Sequence, residues 1–171
     1  MILSFDAEAN GLYGQAFALG AVIVKSNKIV DEFQARCPIQ EPVDPWVAEN
    51  VLPVLLNMEV THKSYEGMLN SFYDFYMKYK ESTFIAHIAH PVETKVLRDM
   101  VQLDLKNRVW DGPLITDVHQ ELSRIGEDPW SVDDYIKKYN IEVPYKGSPH
   151  HPLYDAHTAA AVYQHINRPT I

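Results

Sequence analysis

The first strand of this chain ends in two carboxylates separated by one residue. Residues 2–8 read Ile-Leu-Ser-Phe-Asp-Ala-Glu, an apolar run that closes on Asp6 and Glu8. Side chains two positions apart on a strand point to the same side of the sheet, so both carboxylates face one point in space. The apolar residues before them predict a buried strand instead of solvated surface. Two neighbouring carboxylates repel each other, so the fold must place a positively charged group at that point.

A third carboxylate, Asp155, stands near the end of the chain in the run His-His-Pro-Leu-Tyr-Asp-Ala at 150–156. Carboxylate oxygens are the ligands that hard divalent cations such as Mg²⁺ prefer. His150, five residues before Asp155, adds a titratable base, since the unperturbed imidazole pKa of ~6.5 suits proton transfer at neutral pH. Three carboxylates and a histidine together indicate a metal-dependent attack on a phosphodiester.

Length and charge exclude several classes of protein. With 171 residues, 46% of them hydrophobic, the chain is predicted to form one domain over 1–171. The single Cys37 excludes an internal disulfide and a cysteine-based zinc site. No apolar window approaches the ~18 residues of a membrane span, and no leader sequence is recognised, so we expect a cytoplasmic protein. The net charge of -8 argues against a broad basic surface for long nucleic acid, so a nucleic-acid substrate should be held over only a few nucleotides.

The order of predicted elements fits an α/β fold with a mixed sheet flanked by helices. Hydrophobic patterns predict strands at 2–8, 17–24, 29–36, 84–89 and 114–118. Helices are predicted at 66–80, 91–103, from 118 to 126 and at 131–140, where Ser131 and Asp134 resemble a capping box. The segment 43–57 should mix turn and short helix. Residues 141–154 read as a loop, and a last helix is expected from about Asp155 to Asn167.

These motifs resemble those of the DEDDh 3′-to-5′ exonucleases, the group that includes oligoribonuclease, ribonuclease T and polymerase proofreading subunits. The resemblance spans nearly the whole chain. Asp-Ala-Glu-Ala-Asn-Gly-Leu at 6–12 is similar to the family's Asp-x-Glu-Thr-Thr-Gly-Leu, and the run at 150–156 has its His-x-x-x-x-Asp spacing. The middle motif departs from the family pattern. His-Ile-Ala-His-Pro-Val-Glu at 87–93 places Glu93 where the family has aspartate. Leu97, four residues later, favours Glu93 over Asp99, which lies about 240° further round the helix.

The resemblance implies a ribonuclease H-like fold with a five-stranded sheet, two Mg²⁺ or Mn²⁺ ions and a histidine general base. Asp6 would bridge both ions, Glu8 and Asp155 would complete the ligands of the first, and Glu93 would reach the second directly or through a water. His150 would be the base. Residues expected to meet the substrate are Leu12 beside the terminal base, Ala9, Asn10 and Gly11 near the sugar, and Lys146 at a phosphate.

The predicted function is removal of nucleoside monophosphates from the 3′ ends of single-stranded RNA or DNA. Two alternatives stay open: an inactive nucleic-acid-binding or accessory protein on the same fold, and a two-metal phosphodiesterase of small nucleotides. No residue can be assigned to a 2′-hydroxyl, so the sequence does not separate RNA from DNA. A homodimer is expected, because many small members of the resembled family form dimers. His87 and His90 could form a zinc pair, but their expected place at a strand end favours a structural role.

Overall fold

The computed structural model describes residues 1–168, which build a mixed sheet of five strands in the order β3-β2-β1-β4-β5. The strands are β1 (Ile2–Ala9), β2 (Ala16–Lys25), β3 (Lys28–Arg36), β4 (Thr83–Ala86) and β5 (Ile115–Asp117). β1 and β3 pair with β2 in antiparallel fashion, whereas β1, β4 and β5 run parallel to one another. The predicted mixed five-stranded sheet is confirmed.

Most helices begin at residues with capping side chains. They are α1 (Pro45–Asn50), α2 (Tyr65–Lys78), α3 (Val92–Gln102), α4 (Leu105–Arg108), α5 (Val118–Arg124), α6 (Val132–Tyr139) and α7 (Pro152–Ile166). The Ser131 hydroxyl accepts the Asp134 N–H at 3.1 Å, as the sequence predicted for the start of α6. Asn140 ends that helix in a left-handed conformation, a conformation that asparagine tolerates better than most residues.

The two faces of β1 have different partners. Leu3 and Phe5 point into the main core, where the Phe5 ring stacks on Phe72 of α2 at 5.1 Å and meets Phe84 of β4 at 5.2 Å. Fully burying one such aromatic side chain stabilises a fold by about 1.5–3 kcal/mol. Residues of even number, among them Asp6 and Glu8, alternate to the opposite face. There α7 packs across β1 and β2, so the carboxylates of the first strand meet the last helix.

Two predicted boundaries differ from the observed ones by three residues. The strand predicted at 84–89 ends at Ala86, because His87 turns toward Pro129 and Ile88 adopts a positive φ of 53°. The loop predicted at 141–154 ends at His151, and α7 begins at Pro152 instead of near Asp155. Proline suits a first helical position, because its missing N–H would have no partner there. Within residues 1–168, no helix has the length and apolarity needed to cross a membrane.

Candidate metal site and its two cavities

Three carboxylates converge where β1 meets α7. Asp6 and Glu8 project from the same face of β1, and Asp155 lies in the first turn of α7. One oxygen from each of the three can be chosen so that all lie within 4.8 Å of one another. The structure therefore brings together the first and last motifs of the sequence.

A glycine in β2 allows this approach. Gly20 is the register partner of Asp6, and a Cβ atom added to it would lie 2.3 Å from the backbone N of Leu153 in α7. No real Cβ makes so short a contact, so the N-terminal turn of α7 can rest on β2 only because Gly20 has no side chain. That contact sets how close Asp155 comes to Asp6.

Glu93 supports the same region from α3. Its side chain is buried, with 5% exposed, and its Oε1 accepts the N–H of Ala7 at 3.3 Å, between the two strand carboxylates. It is not one of the three residues whose oxygens converge, but it lines the cavity that they share. Asp99 lies away from this cavity and binds Lys95 at 2.6 Å and the Tyr65 hydroxyl at 3.0 Å.

Burial raises the pKa of every carboxyl group in the cluster, and repulsion from neighbouring carboxylates adds to the shift for Asp6, Glu93 and Asp155. For Asp6, burial raises the pKa well above its usual range, and the charges of Asp155, Glu8 and Glu93 add to the effect. Burial also raises the pKa of Glu8 to about 7, of Glu93 to about 8 and of Asp155 to about 8. Ionised carboxylates are costly in such a place unless a cation compensates them. A hard divalent ion supplies that compensation, and these residues fit one.

His150 is fixed beside the cluster by its own backbone. Its φ is 70°, in the left-handed region that non-glycine residues seldom adopt, and its N–H donates to Asp155 Oδ2 at 2.8 Å. Its imidazole meets the Trp46 ring edge-on, with centroids 5.3 Å apart. His151 instead precedes α7 and lies 5.7 Å from the Tyr145 ring. Of the two histidines, only His150 lines the cavities at the cluster.

An apolar cavity of about 600 Å³ adjoins the carboxylates. Of the residues expected at the substrate, Ala9, Gly11 and Leu12 line it, together with Trp46 and others. The Asn10 side chain makes structural contacts instead. Its Oδ1 accepts the N–H of Asp44 at 2.8 Å, and its Nδ2 donates to the Pro42 carbonyl at 3.0 Å. These bonds hold the segment after β1 against the start of α1, which carries Trp46.

A second cavity of about 360 Å³ contains the cluster itself, and we call it the polar cavity after the charged and polar side chains in its lining. Its lining includes the four acidic residues and His150, and also His87, Trp130, Ser131 and Asp133. Glu8, Leu12 and His150 line both cavities, so the two meet at the carboxylates. Lys146 is exposed and lines neither cavity.

Sequence reasoning missed two residues that shape the site. Asp117, at the end of β5, accepts the N–H groups of Ile88 and Ala89, each at 3.0 Å, and so fixes the turn that leads into α3. An aspartate at the carboxyl end of a parallel strand was the available signal. Trp46 was also missed, although Asp44 and a following proline mark a helix start just before it.

Comparisons with known proteins give a match of fold without a match of sequence. No protein-family model matches the chain, and no curated protein sequence matches it significantly. Exonuclease X in complex with 5′-overhanging duplex DNA aligns over 97% of this chain and 90% of its own, with a TM-score of 0.61 and 22% identity. A 3′-exonuclease that recognises the 3′ end of the histone mRNA stem-loop aligns over 95% of this chain, with a TM-score of 0.68 and 16% identity.

A third solved structure is the zinc-bound complex of E. coli ExoI with single-stranded DNA, with a TM-score of 0.62, 10% identity and 97% of this chain covered. The chain spans 62% of the length of the histone mRNA exonuclease and 40% of the length of ExoI. All three alignments cover nearly the whole of this chain. The chain therefore has a ribonuclease H-like fold, which it shares with these solved exonucleases, and a carboxylate cluster where β1 meets α7.

Proposed function

We propose that this protein is a metal-dependent 3′-5′ exonuclease that releases nucleoside monophosphates from single-stranded RNA or DNA. The observation that carries the proposal is the convergence of Asp6, Glu8 and Asp155, with His150 bonded through its backbone to Asp155. A cluster of half-buried acids with raised pKa values beside a histidine is typical of a catalytic site. The fold shared with solved exonucleases supports the same reaction class.

Asp6, Glu8 and Asp155, whose oxygens converge, would hold the metal ions together with Glu93. When bound, two Mg²⁺ or Mn²⁺ ions supply positive charge that lowers the pKa of water and stabilises the phosphate. His150 would take the proton of the attacking water. The water oxygen bonds to phosphorus, the bond from phosphorus to the 3′-oxygen of the preceding nucleotide breaks, and that oxygen gains a proton.

The apolar cavity would receive the terminal nucleoside. Leu12 and Trp46, which are 65% and 55% exposed, offer apolar and aromatic surface beside the cluster. Any of the bases can stack on such side chains, because every base has a flat aromatic face. Gly11 has a φ of 80° and a small profile, so the backbone of the segment after β1 can lie close to a sugar.

End-labelled single-stranded RNA and DNA, incubated with Mn²⁺ or with chelator and resolved on a sequencing gel, test the proposal. We expect a ladder of products shortened from the 3′ end, with Mn²⁺ only. Asp155→Asn should abolish the ladder, whereas Asp99→Asn is the matched control and should leave it unchanged. Binding of the labelled strand without cleavage would instead identify an inactive nucleic-acid-binding protein. Full activity in excess chelator would refute the two-metal mechanism.

A further inference from the structure

Trp130 presents an indole at the rim of the polar cavity. Its side chain is 69% exposed, and the cavity that it lines also contains Asp6 and Asp155. A tryptophan buries much apolar surface when it is covered, so leaving it in water forgoes a large stabilisation. Because it lies beside the carboxylates, a ligand bound at the carboxylates could cover the indole.

The segment around Trp130 is held in place although the indole is open to solvent. The backbone N–H of Trp130 donates to Asp128 Oδ1 at 3.0 Å. The imidazole of His119 meets the indole edge-on, with ring centroids 4.6 Å apart. The neighbouring Pro129 carbonyl contacts His87 Nε2 at 2.8 Å. An aromatic surface that is already ordered loses little conformational entropy when a ligand stacks on it.

The charges of the cavity exclude a phosphate as the partner of Trp130. No lysine or arginine is among the described residues that line either cavity. Several cations of the chain form pairs elsewhere, including Lys95 with Asp99, Arg124 with Glu121 and Lys138 with Glu127. Asp133, which does line the polar cavity, adds a negative charge there. A planar base can stack on the exposed indole without needing a lysine or arginine beside it.

We infer that Trp130 stacks the penultimate base of the substrate, on the leaving side of the scissile phosphate. The inference rests on the proposed exonuclease function. Because the two cavities meet at the carboxylates, a phosphate held there has the apolar cavity on one side for the terminal nucleoside and Trp130 on the other. The site then holds two nucleotides. Further nucleotides meet no lysine or arginine of the cavities, so a dinucleotide already fills the site and longer strands are bound no better.

A dinucleotide and the same compound with an abasic 5′ residue test the stacking. Base stacking on an aromatic side chain changes affinity roughly 5-fold to 150-fold. We expect Trp130→Ala to lower kcat/KM for the normal dinucleotide within that range, and loss of the 5′ base to do the same to the wild type. Trp130→Ala should lose nothing more on the abasic compound, and Trp130→Phe should retain most activity. Trp110→Ala, which removes a 93% exposed indole that lines neither cavity, is the matched control.

An equal loss by Trp130→Ala on both compounds would overturn the inference, because it would show a role in the fold or in the carboxylate site. If the wild type cleaves neither compound, the proposed exonuclease function is refuted, but the stacking by Trp130 is not yet decided. Calorimetric titration of the wild type with the same two compounds still decides the stacking, since equal affinities would overturn it.

A length series tests the limit of two nucleotides. We expect kcat/KM to vary less than about threefold between two and twenty nucleotides, because the longer strands gain no phosphate contact. Each contacted phosphate of a single strand contributes about -0.7 to the slope of log affinity against log salt concentration. A slope steeper than about -1.4, the value for two phosphates, or a rise of kcat/KM with length, would overturn the limit.

Discussion

Replacing Glu8 by glutamine should stabilise the metal-free protein at alkaline pH. Burial raises the pKa of Glu8 from 4.5 to about 7, a difference of about 2.5. Each whole step in pKa corresponds to about 1.4 kcal/mol, so an isolated group would destabilise the ionised fold by at most about 3.5 kcal/mol. Glu8 is partly exposed and its neighbours titrate with it, so we expect about 2 kcal/mol.

The pH dependence follows from the direction of the shift. Because the folded protein binds the Glu8 proton more tightly than the unfolded chain does, the favourable contribution is present in acid and is lost as pH rises through about 7. Thermal unfolding in chelator should give nearly equal midpoints for the wild type and Glu8→Gln at pH 5. At pH 8 the variant should melt about 4–8 °C higher, by the usual conversion for a chain of this size.

Glu59→Gln removes an exposed glutamate and should not change the midpoint at either pH. Adding Mg²⁺ at pH 8 should stabilise the wild type more than Glu8→Gln, because the variant lacks one metal ligand. A variant that melts lower than the wild type at pH 8 in chelator would refute the electrostatic reasoning. So would a difference in midpoint that is the same at pH 5 and pH 8.

Other substitutions probe the remaining site residues. His150→Ala should lower kcat about 10²-fold with little change in KM, whereas His151→Ala should be far milder; the reverse ranking in steady-state kinetics would shift the motif by one residue. Glu93→Gln keeps an acceptor for the Ala7 amide but loses its charge, so activity should fall strongly at every Mn²⁺ concentration. Glu93→Asp should retain appreciable activity, and a severe loss in Asp99→Asn beside a harmless Glu93→Gln would move the fourth carboxylate to Asp99.

Local patterns in the sequence predicted the strands of the sheet, because strand formation and side-chain alternation depend on residues that are close along the chain. The spacing of Asp6 and Glu8 placed both on one face of β1, and the structure has them there. Their convergence with Asp155 depends on contacts between the two ends of the chain, which no local pattern encodes. The resemblance to the exonucleases supplied that link, and the observed cluster of Asp6, Glu8 and Asp155 agrees with it.

Side-chain roles that depend on tertiary contacts were beyond the sequence. Asn10 stands in the first motif, yet its amide holds Asp44 and Pro42 in place. Trp46 reaches the site only because that arrangement positions α1. Lys146 is near His150 in sequence but lines neither cavity, since the chain between them turns before α7. Proximity along the chain therefore does not make Lys146 a lining residue of either cavity, and its contact with a phosphate stays a prediction.

Gly20 has a consequence for how mutations of this protein would be interpreted. It carries no functional group, yet any side chain at that position would push α7 off β2 and separate Asp155 from Asp6. In a saturation mutagenesis experiment scored by activity, Gly20 should tolerate as few substitutions as the acidic residues do. A metal-binding screen would group it with the ligands, although it has no side chain to touch an ion. The spacing of this site is thus encoded in part by a missing methyl group, which a search for reactive side chains would overlook.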